Sequence, residues 1–253
     1  MRVFALSDIH IDYDVNAEWI ANLSVAEYQD DVLILAGDVT DSRRLLDWCL
    51  SALAKRFKKV LFTPGNHDLW VIREDREMNS LQKFDDVRAI VESSGASMQP
   101  CRERGLSVIP LLAWYDYSFG EPSEKLKRVW MDYRACRWPS GYTEKDVAAH
   151  FAAFNDKQVS AAGDTVITYS HFLPRIDLMP GFVPGANGFL YPVLGSAQLE
   201  SQLRSLNSSI HVYGHSHVNH HVKIDGVSYI NNAFGYPRET RITSKRLMLI
   251  HER

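Results

Sequence analysis

Residue types that bind metal ions stand at the ends of several short apolar runs. The polar blocks are Ser7-Asp8-Ile9-His10, Gly37-Asp38, Gly65-Asn66-His67-Asp68, Ser170-His171 and Gly214-His215-Ser216-His217. Short apolar runs such as those before these blocks are typical of strands buried on both faces. Because ligands of α/β sheets bind beyond the carboxyl ends of strands, we expect these polar side chains to lie close together.

Each of these residues also has a purely structural explanation. Asp38 could cap the N-terminus of a following helix, and Asn66 after Gly65 could belong to an ordinary turn. A His after a strand is more often a hydrogen-bonded polar residue than a ligand. Turn and capping preferences alone do not explain five strand ends that all carry metal-binding side chains. The joint pattern therefore favours a metal site.

Read in order, the five blocks form a known pattern. It is D-x-H, then G-D, then G-N-H-D/E, then a single H, then G-H-x-H, and the chain has every position. The sequence therefore resembles the calcineurin-like metallophosphoesterase superfamily over about four fifths of its length, from Asp8 to His217. The segment from Asn231 to Pro237 is also similar to the Asn-containing, Gly-Tyr-Pro segment that often follows the last block in this family.

The resemblance implies two metal positions that share a bridging carboxylate, Asp38. The implied ligands are Asp8, His10, Asp38 and His217 for the first metal ion, and Asp38, Asn66, His171 and His215 for the second. His67 is not a ligand in this scheme and would face the substrate as the catalytic residue. Asp68 would orient His67 or serve as a cap or turn residue.

The ligand set indicates which metals and which reaction to expect. Carboxylate and imidazole ligands without a thiolate suit two divalent or trivalent ions such as Mn, Fe or Zn, and disfavour Cu(I) and iron–sulfur clusters. A carboxylate can hold two cations about 3.5–4 Å apart, and water bound between them loses a proton near neutral pH. The bridging hydroxide would attack phosphorus while the cations neutralise charge on the phosphoryl oxygens. His67 would donate to the leaving group or stabilise the transition state.

Helical patterns lie between the early apolar runs, at Ala17 to Tyr28, Ser42 to Phe57 and Glu77 to Ser93. Strand–helix alternation predicts βαβ units. Gly226 to Asn231 and Arg246 to His251 follow short turns, as antiparallel strands do, and we expect a second sheet there. We therefore predict an α/β fold of two packed mixed β-sheets flanked by helices, a four-layer α-β-β-α sandwich. The metal site would lie at the carboxyl ends of its strands, within a single domain over residues 1–253.

Two longer segments do not look like core. Residues 115–141 are rich in Trp, Tyr, Arg and Lys, and residues 172–195 are rich in Gly and Pro. Such segments often form a rim or cap over a site, although a surface excursion without function is the alternative. Arg175 is a candidate for substrate binding, as is Asn66. Phe172, Leu173, Phe182, Phe189 and Tyr191 indicate an apolar wall near the metals.

The bulk composition argues against other classes of protein. The formal net charge of -3 argues against broad binding of nucleic acid or anionic membranes. No apolar run approaches the roughly 18 residues that a membrane span needs, so we expect no membrane insertion. Cys49, Cys101 and Cys136 are odd in number and have no CxxC spacing, which favours reduced thiols in a cytoplasmic protein.

These observations together predict a metal-dependent phosphoesterase that acts on a small phosphorylated substrate, with a phosphodiester as the first choice. A phosphomonoesterase or a nucleotide pyrophosphatase would use the same centre. A nuclease would need a more basic surface. A binding scaffold that has lost catalysis would have replaced ligands or a replaced His67, and here each of these positions is intact.

Overall fold

The computed structural model describes residues 1–156, 165–181 and 188–253, so that Phe182 of the predicted apolar wall lies outside the described residues. The strands within them are β1 Arg2–Leu6, β2 Val32–Ala36, β3 Lys59–Thr63, β4 Cys101–Glu103, β5 Leu106–Pro110, β6 Thr165–Tyr169, β7 Ile210–Tyr213, β8 His220–Ile224, β9 Val227–Asn231 and β10 Met248–Glu252. The α-helices are α1 Asp14–Asn22, α2 Arg43–Ala54, α3 Ser80–Ser93, α4 Glu124–Val129, α5 Asp132–Ala135, α6 Glu144–Asp156 and α7 Ala197–Ser205. No helix in the described part of the chain is both long and apolar enough to cross a membrane.

The first sheet has the strand order β10-β1-β2-β3. Strands β1, β2 and β3 are parallel, with α1 and α2 as their connections, and β10 pairs with β1 in the antiparallel sense. Helix α3 begins at Ser80 and not at the predicted Glu77 because Asn79 and Gln82 form a capping box. Helix α1 ends at Asn22, before the predicted Tyr28, because the backbone of Leu23 leaves the helical region.

The second sheet has the strand order β4-β5-β6-β7-β9-β8, with a parallel centre and antiparallel pairs at both edges. The strand predicted at the end of the chain, β10, belongs to the first sheet instead of this one. The strand predicted at Gly226 to Asn231, β9, is antiparallel to β8 but parallel to β7. Local sequence pattern predicts that a strand forms, whereas its partners are chosen by the packing of the whole chain.

The two sheets pack face to face, and helices cover both outer faces. Along β2, Val32, Ile34 and Ala36 point between the sheets, while Leu33 and Leu35 pack on the helices. Phe151 of α6 and Leu199 and Leu203 of α7 belong to the core cluster on the outer side of the second sheet. This arrangement confirms the predicted α-β-β-α layers.

The loops that follow the parallel strands meet at one end of the sandwich. The amide of Asp8, after β1, donates to the carbonyl of Gly37 after β2, at 2.9 Å. In the second sheet the amide of Gly214 donates to the carbonyl of His171 at 2.8 Å. The amide of His215 then donates across the sheets to Asp8 Oδ1, also at 2.9 Å. Main-chain amides therefore join four of the five polar blocks to one another by hydrogen bonds.

Candidate metal centre

Five of the predicted ligands have a left-handed backbone. Their φ angles are 52° for Asp8, 42° for His10, 55° for Asp38, 67° for His215 and 52° for His217. L residues pay about 1–2 kcal/mol for this conformation. Such strain concentrates at functional sites, where it serves to aim side chains. Here the sharp turns at the strand ends direct the five side chains towards a common point.

The first group of side chains consists of Asp8, His10, Asp38 and His217, whose ligand atoms lie within 4.8 Å of one another. The Nε2 atoms of His10 and His217 are 3.0 Å apart. His217 Nε2 is 3.4 Å from Asp8 Oδ1, and His10 Nε2 is 3.9 Å from Asp38 Oδ2. The four residues are almost completely buried. This group matches the residues expected to bind the first metal ion.

The second group consists of Asp38, His171 and His215, together with Asn66. His171 Nε2 lies 3.1 Å from Asn66 Oδ1 and 3.1 Å from His215 Nδ1. It also lies 3.4 Å from Asp38 Oδ1. Asp38 thus presents Oδ2 to the first group and Oδ1 to the second, which is the arrangement that a bridging carboxylate requires.

Hydrogen bonds fix the orientation of three imidazole rings in these groups. His171 Nδ1 donates to the carbonyl of Ala36 at 2.9 Å, and His215 Nε2 donates to the carbonyl of Val193 at 3.0 Å. His217 Nδ1 donates to Glu239 Oε2 at 2.7 Å. When these rings are neutral, each keeps its proton on the outer nitrogen, so that the inner nitrogen presents its lone pair to the group.

The donor set fits metal cations. In the second group, His171 Nε2 lies 3.1 Å from both His215 Nδ1 and Asn66 Oδ1. A single proton can join only two of these acceptors, whereas a cation can bind all of them. Oxygen and imidazole nitrogen without sulfur suit first-row divalent ions. The part of the chain that the structure describes therefore contains two adjoining sets of atoms suitable for metal ions.

Protons compete with cations for these atoms. Burial disfavours a charged His171, but Asp38, Asp8 and the carbonyl of Ala36 together outweigh burial and raise the pKa of His171 to about 9. Burial also lowers the pKa of His217, but the carboxylates of Asp8 and Glu239 outweigh it and raise this pKa to about 10. A metal ion that binds to either group consequently has to displace a proton.

Close packing of the loops requires glycine at position 65. A Cβ atom placed there would contact the carboxylate of Asp38 and would lie 2.7 Å from the Asp38 amide nitrogen. No side chain can be added without moving the carboxylate that both groups share. Gly65, the first residue of the third block, thus allows the backbone to lie close to the candidate ligand Asp38.

Asp68 supports the backbone and does not orient His67. Its carboxylate accepts four main-chain N–H groups, from Asp38 (2.9 Å), Val39 (3.0 Å), Thr40 (3.1 Å) and Gly65 (2.8 Å). Burial raises the pKa of Asp68, while the four donors favour its ionised form. Of the two roles expected for Asp68, the structure shows the turn role, in which one carboxylate joins the second and third blocks.

Asn66 is held by a residue that the sequence reasoning did not single out. Its Nδ2 donates to Asp132 Oδ1 at 2.9 Å, and the indoles of Trp70 and Trp130 donate to the same carboxylate at 2.7 Å each. Asp132 is buried and lies in the segment 115–141 that was expected to form a rim. Glu239, which holds His217, was missed as well, although it follows the Gly-Tyr-Pro segment by two positions.

His67 faces a cleft and belongs to neither group. Its amide donates to Asp38 Oδ1 at 2.9 Å, and its Nε2 lies 3.8 Å from Asp38 Oδ2. Its ring stacks on the indole of Trp70, with the ring centres 3.7 Å apart. The side chain is held rigidly beside the shared carboxylate while one edge remains open to the cleft.

The cleft has a polar floor and an apolar wall, with a volume of about 260 Å³. The floor contains Asp38, Asn66, His67, His215 and His217. The wall contains Trp130, Met179, Leu190, Tyr191, Leu194, Val218 and Ile242, so that residues from both long segments reach the centre. Among the described residues that line the cleft there is no Lys or Arg.

Arg175 lies outside this cleft. Its guanidinium donates to Asp177 at 2.7 and 2.9 Å and lies 3.3 Å from Glu200 and 3.4 Å from Asp225. It also packs over the ring of Tyr229. The structure brings the seven predicted metal ligands, including Asn66, together with His67. Arg175 lies apart from them.

Comparison with known proteins gives a family and a relative that matches most of the chain. The sequence model of the family described as calcineurin-like phosphoesterase matches residues 1–219. A protein of Mycobacterium tuberculosis named [acyl-carrier-protein] phosphodiesterase PptH is 26% identical over 263 residues, which cover 94% of this chain and 79% of that protein.

A solved structure has the same fold over nearly the whole chain. The crystal structure of phosphopantetheinyl hydrolase (PptH) from Mycobacterium tuberculosis superposes with a TM-score of 0.80 and 25% sequence identity. The match covers 98% of this chain and 95% of that chain. Both sheets of the described fold are therefore shared with this relative.

Proposed function

The chain belongs to the calcineurin-like phosphoesterase family, whose members are metal-dependent hydrolases, and we propose that its substrate is a phosphodiester that joins a phosphopantetheinyl group to an acyl carrier protein. The names of its relative support this substrate, since they specify an acyl-carrier-protein phosphodiesterase and a phosphopantetheinyl hydrolase. Hydrolysis would release the phosphopantetheinyl group and leave the carrier protein unmodified.

The lining of the cleft is the observation that supports this proposal. A phosphodiester has one phosphate, and the atoms suitable for metal ions lie at the polar floor. Beyond them the wall offers apolar side chains such as Met179, Leu190 and Ile242. A long uncharged arm fits such a wall, because apolar contacts need no charge on the ligand. A nucleotide pyrophosphatase would need cations for a second phosphate, and the described lining contains none.

We assign the metal ligands as the resemblance implies, with Asp38 as the bridge, and expect Mn, Fe or Zn. The two candidate groups and the convergence of lone pairs within them support this assignment. When bound, the cations lower the pKa of water and neutralise charge on the phosphoryl oxygens. The three unpaired thiols, Cys49, Cys101 and Cys136, support our further proposal of a reducing, cytoplasmic location.

His67 would transfer a proton to the leaving oxygen. The stacked indole of Trp70 and the bond from its amide to Asp38 restrict its position. A general acid has to lie within hydrogen-bond reach of the atom that it protonates, and His67 is the imidazole that borders the cleft without belonging to either group. Its role is therefore proton donation to the carrier-side oxygen after the phosphorus–oxygen bond weakens.

The proposal is tested with protein that has been stripped of metal by a chelator and reloaded with Mn, Zn, Fe or Mg in turn. Each form is incubated with a carrier protein that bears phosphopantetheine, and intact-protein mass spectrometry follows the loss of the group. Bis(p-nitrophenyl) phosphate and p-nitrophenyl phosphate serve as a simple diester and monoester. We expect metal-restored cleavage of the carrier protein and of the diester.

Three outcomes would contradict the proposal. Cleavage of the monoester at a much higher kcat/KM than either diester would identify a phosphomonoesterase. Cleavage of the simple diester without any action on the carrier protein would retain the reaction class but reject the substrate. A folded protein that hydrolyses nothing in any metal form would favour a binding role.

A further inference from the structure

Asp132 lies at the junction between the second group and the rim segment. It is buried, with 2% of its surface exposed. Three N–H donors from different parts of the chain converge on its carboxylate: Asn66 Nδ2 at 2.9 Å, Trp70 Nε1 at 2.7 Å and Trp130 Nε1 at 2.7 Å. Each bond to an ionised oxygen is stronger than a bond between neutral groups. The residue thus joins the third polar block to the segment 115–141.

The chemistry of the carboxylate determines which way the Asn66 amide points. An ionised carboxylate only accepts hydrogen bonds, and of the two ends of an amide only the NH₂ group donates. Asn66 Nδ2 must therefore face Asp132, which leaves Oδ1 directed at His171 Nε2, 3.1 Å away. Without this acceptor, the amide would be free to rotate and present its NH₂ group, which cannot bind a cation.

The two indoles carry the influence of Asp132 to other parts of the site. The ring of Trp70 stacks on His67. Trp130 borders the cleft and forms a T-shaped ring pair with His215, with the ring centres 5.7 Å apart. The carboxylate of Asp132 consequently contacts Asn66 of the second group. It also contacts Trp70, on which His67 stacks, and Trp130, which is part of the cleft wall.

We propose that Asp132 is a positioning residue for the second metal ion, because it fixes the amide of Asn66 with its oxygen towards the metal. The inference rests on the proposed metal-dependent function. A purely structural role would be served equally well by an apolar residue of the same size, since burying a carboxylate is costly. Partners that orient metal ligands contribute about 10–100-fold to metal affinity.

The test measures metal binding rather than catalysis. Chelator-stripped protein is titrated with Mn²⁺ by calorimetry, and electron paramagnetic resonance reports whether two ions are close together. His171→Ala and His217→Ala assign each affinity to its group. In Asp132→Leu, which keeps the branching at Cγ but has no acceptor, we expect the second affinity to fall 10–100-fold while the first is unchanged. Asp132→Asn, which keeps one acceptor oxygen, should give a smaller loss.

Asp116 provides a matched control. It lies in the same segment and accepts hydrogen bonds from Ser118 N at 2.9 Å and Ser196 Oγ at 2.7 Å, away from both groups. Asp116→Leu should leave both Mn²⁺ affinities as they are in the wild type.

A double-mutant cycle with Asn66 makes the proposal falsifiable even if the apolar variant folds poorly, since the cycle can also be run with Asp132→Asn. If Asp132 acts through Asn66, its substitution should not weaken the second affinity further in an Asn66→Ala background. Additive losses would overturn the proposal, as would wild-type affinities in folded Asp132→Leu or an equal loss at both groups. Wild-type protein that binds no Mn²⁺ would instead reject the metal-dependent function itself.

Discussion

The two groups of candidate ligands share Asp38 but hold their imidazoles by different means. In the second group, His171 and His215 donate to the main-chain carbonyls of Ala36 and Val193. In the first group, His217 donates to a side chain, Glu239. A main-chain acceptor cannot be removed by a point mutation, whereas a side-chain acceptor can. A single substitution can therefore remove the acceptor of His217 but not those of His171 and His215.

The loop that carries Glu239 explains why the first group depends on a side chain. Glu239 Oε2 also accepts the amide of Tyr236 at 2.8 Å, and Lys245 Nζ donates to the carbonyls of Phe234, Gly235 and Tyr236. The loop from 236 to 246 is thus closed on itself by polar side chains. Strand β2, which provides the carbonyl of Ala36, is instead fixed by pairing on both sides.

Loss of Asp38, which both groups share, should weaken metal binding at both groups. In Asp38→Ala we expect both metal affinities to fall together and hydrolysis to drop by about a thousandfold or more, because charge stabilisation is a dominant part of catalysis. Metal content of the purified protein and kcat/KM for the diester measure this. Asp30→Ala, at an exposed position, is the control. Retention of either metal would show that Asp38 does not bridge.

Substitution of His67 should affect catalysis but neither metal. In His67→Ala we expect about a 10²–10⁴-fold lower kcat, the usual contribution of a general acid, with both Mn²⁺ affinities unchanged. A substrate with a p-nitrophenolate leaving group needs less protonation, so its rate should fall less than that of the carrier protein. Equal losses for both substrates would argue against proton donation by this ring.

Removal of Glu239 tests directly whether the first group depends on a side-chain acceptor. In Glu239→Ala, His217 loses the acceptor of its Nδ1 proton, and we expect the first metal affinity to fall 10–100-fold while the second stays the same. Titration with Mn²⁺ measures both. The neighbouring Thr240→Ala, at an exposed position, is the control. Equal weakening of the two groups would mean that the loop supports the whole centre.

The candidate ligands could be named from the sequence, whereas the residues that orient them could not. Asp8, His10 and Asp38 follow their strands directly, so that strand prediction alone brings them to one edge of the sandwich. The acceptors at Ala36 and Val193 are main-chain atoms and have no side-chain signature. Asp132 stands 66 positions after Asn66, and only the packing of segment 115–141 brings the two together.

Strand pairing in the two sheets was also only partly predictable from the sequence. The strand patterns predicted that β9 and β10 form, but the first was expected only in antiparallel pairing and the second in the wrong sheet. Strands β4 and β5 were not predicted; Cys101–Glu103 is short and polar, which explains the omission of β4 only. Partner choice depends on which faces remain to be buried after the earlier strands have paired, and no local pattern contains that information.

Arg175 should give the smallest effect. It is engaged by Asp177, Glu200 and Asp225 on the surface, where ion pairs contribute about 0–1 kcal/mol. In Arg175→Ala we therefore expect unchanged kcat/KM and metal affinities, with a melting temperature lower by a few degrees at most. Thermal unfolding and diester hydrolysis measure the two effects. A KM raised about tenfold would instead place this side chain in substrate binding, as its position after His171 first suggested, and would mean that it leaves its carboxylate partners when substrate is bound.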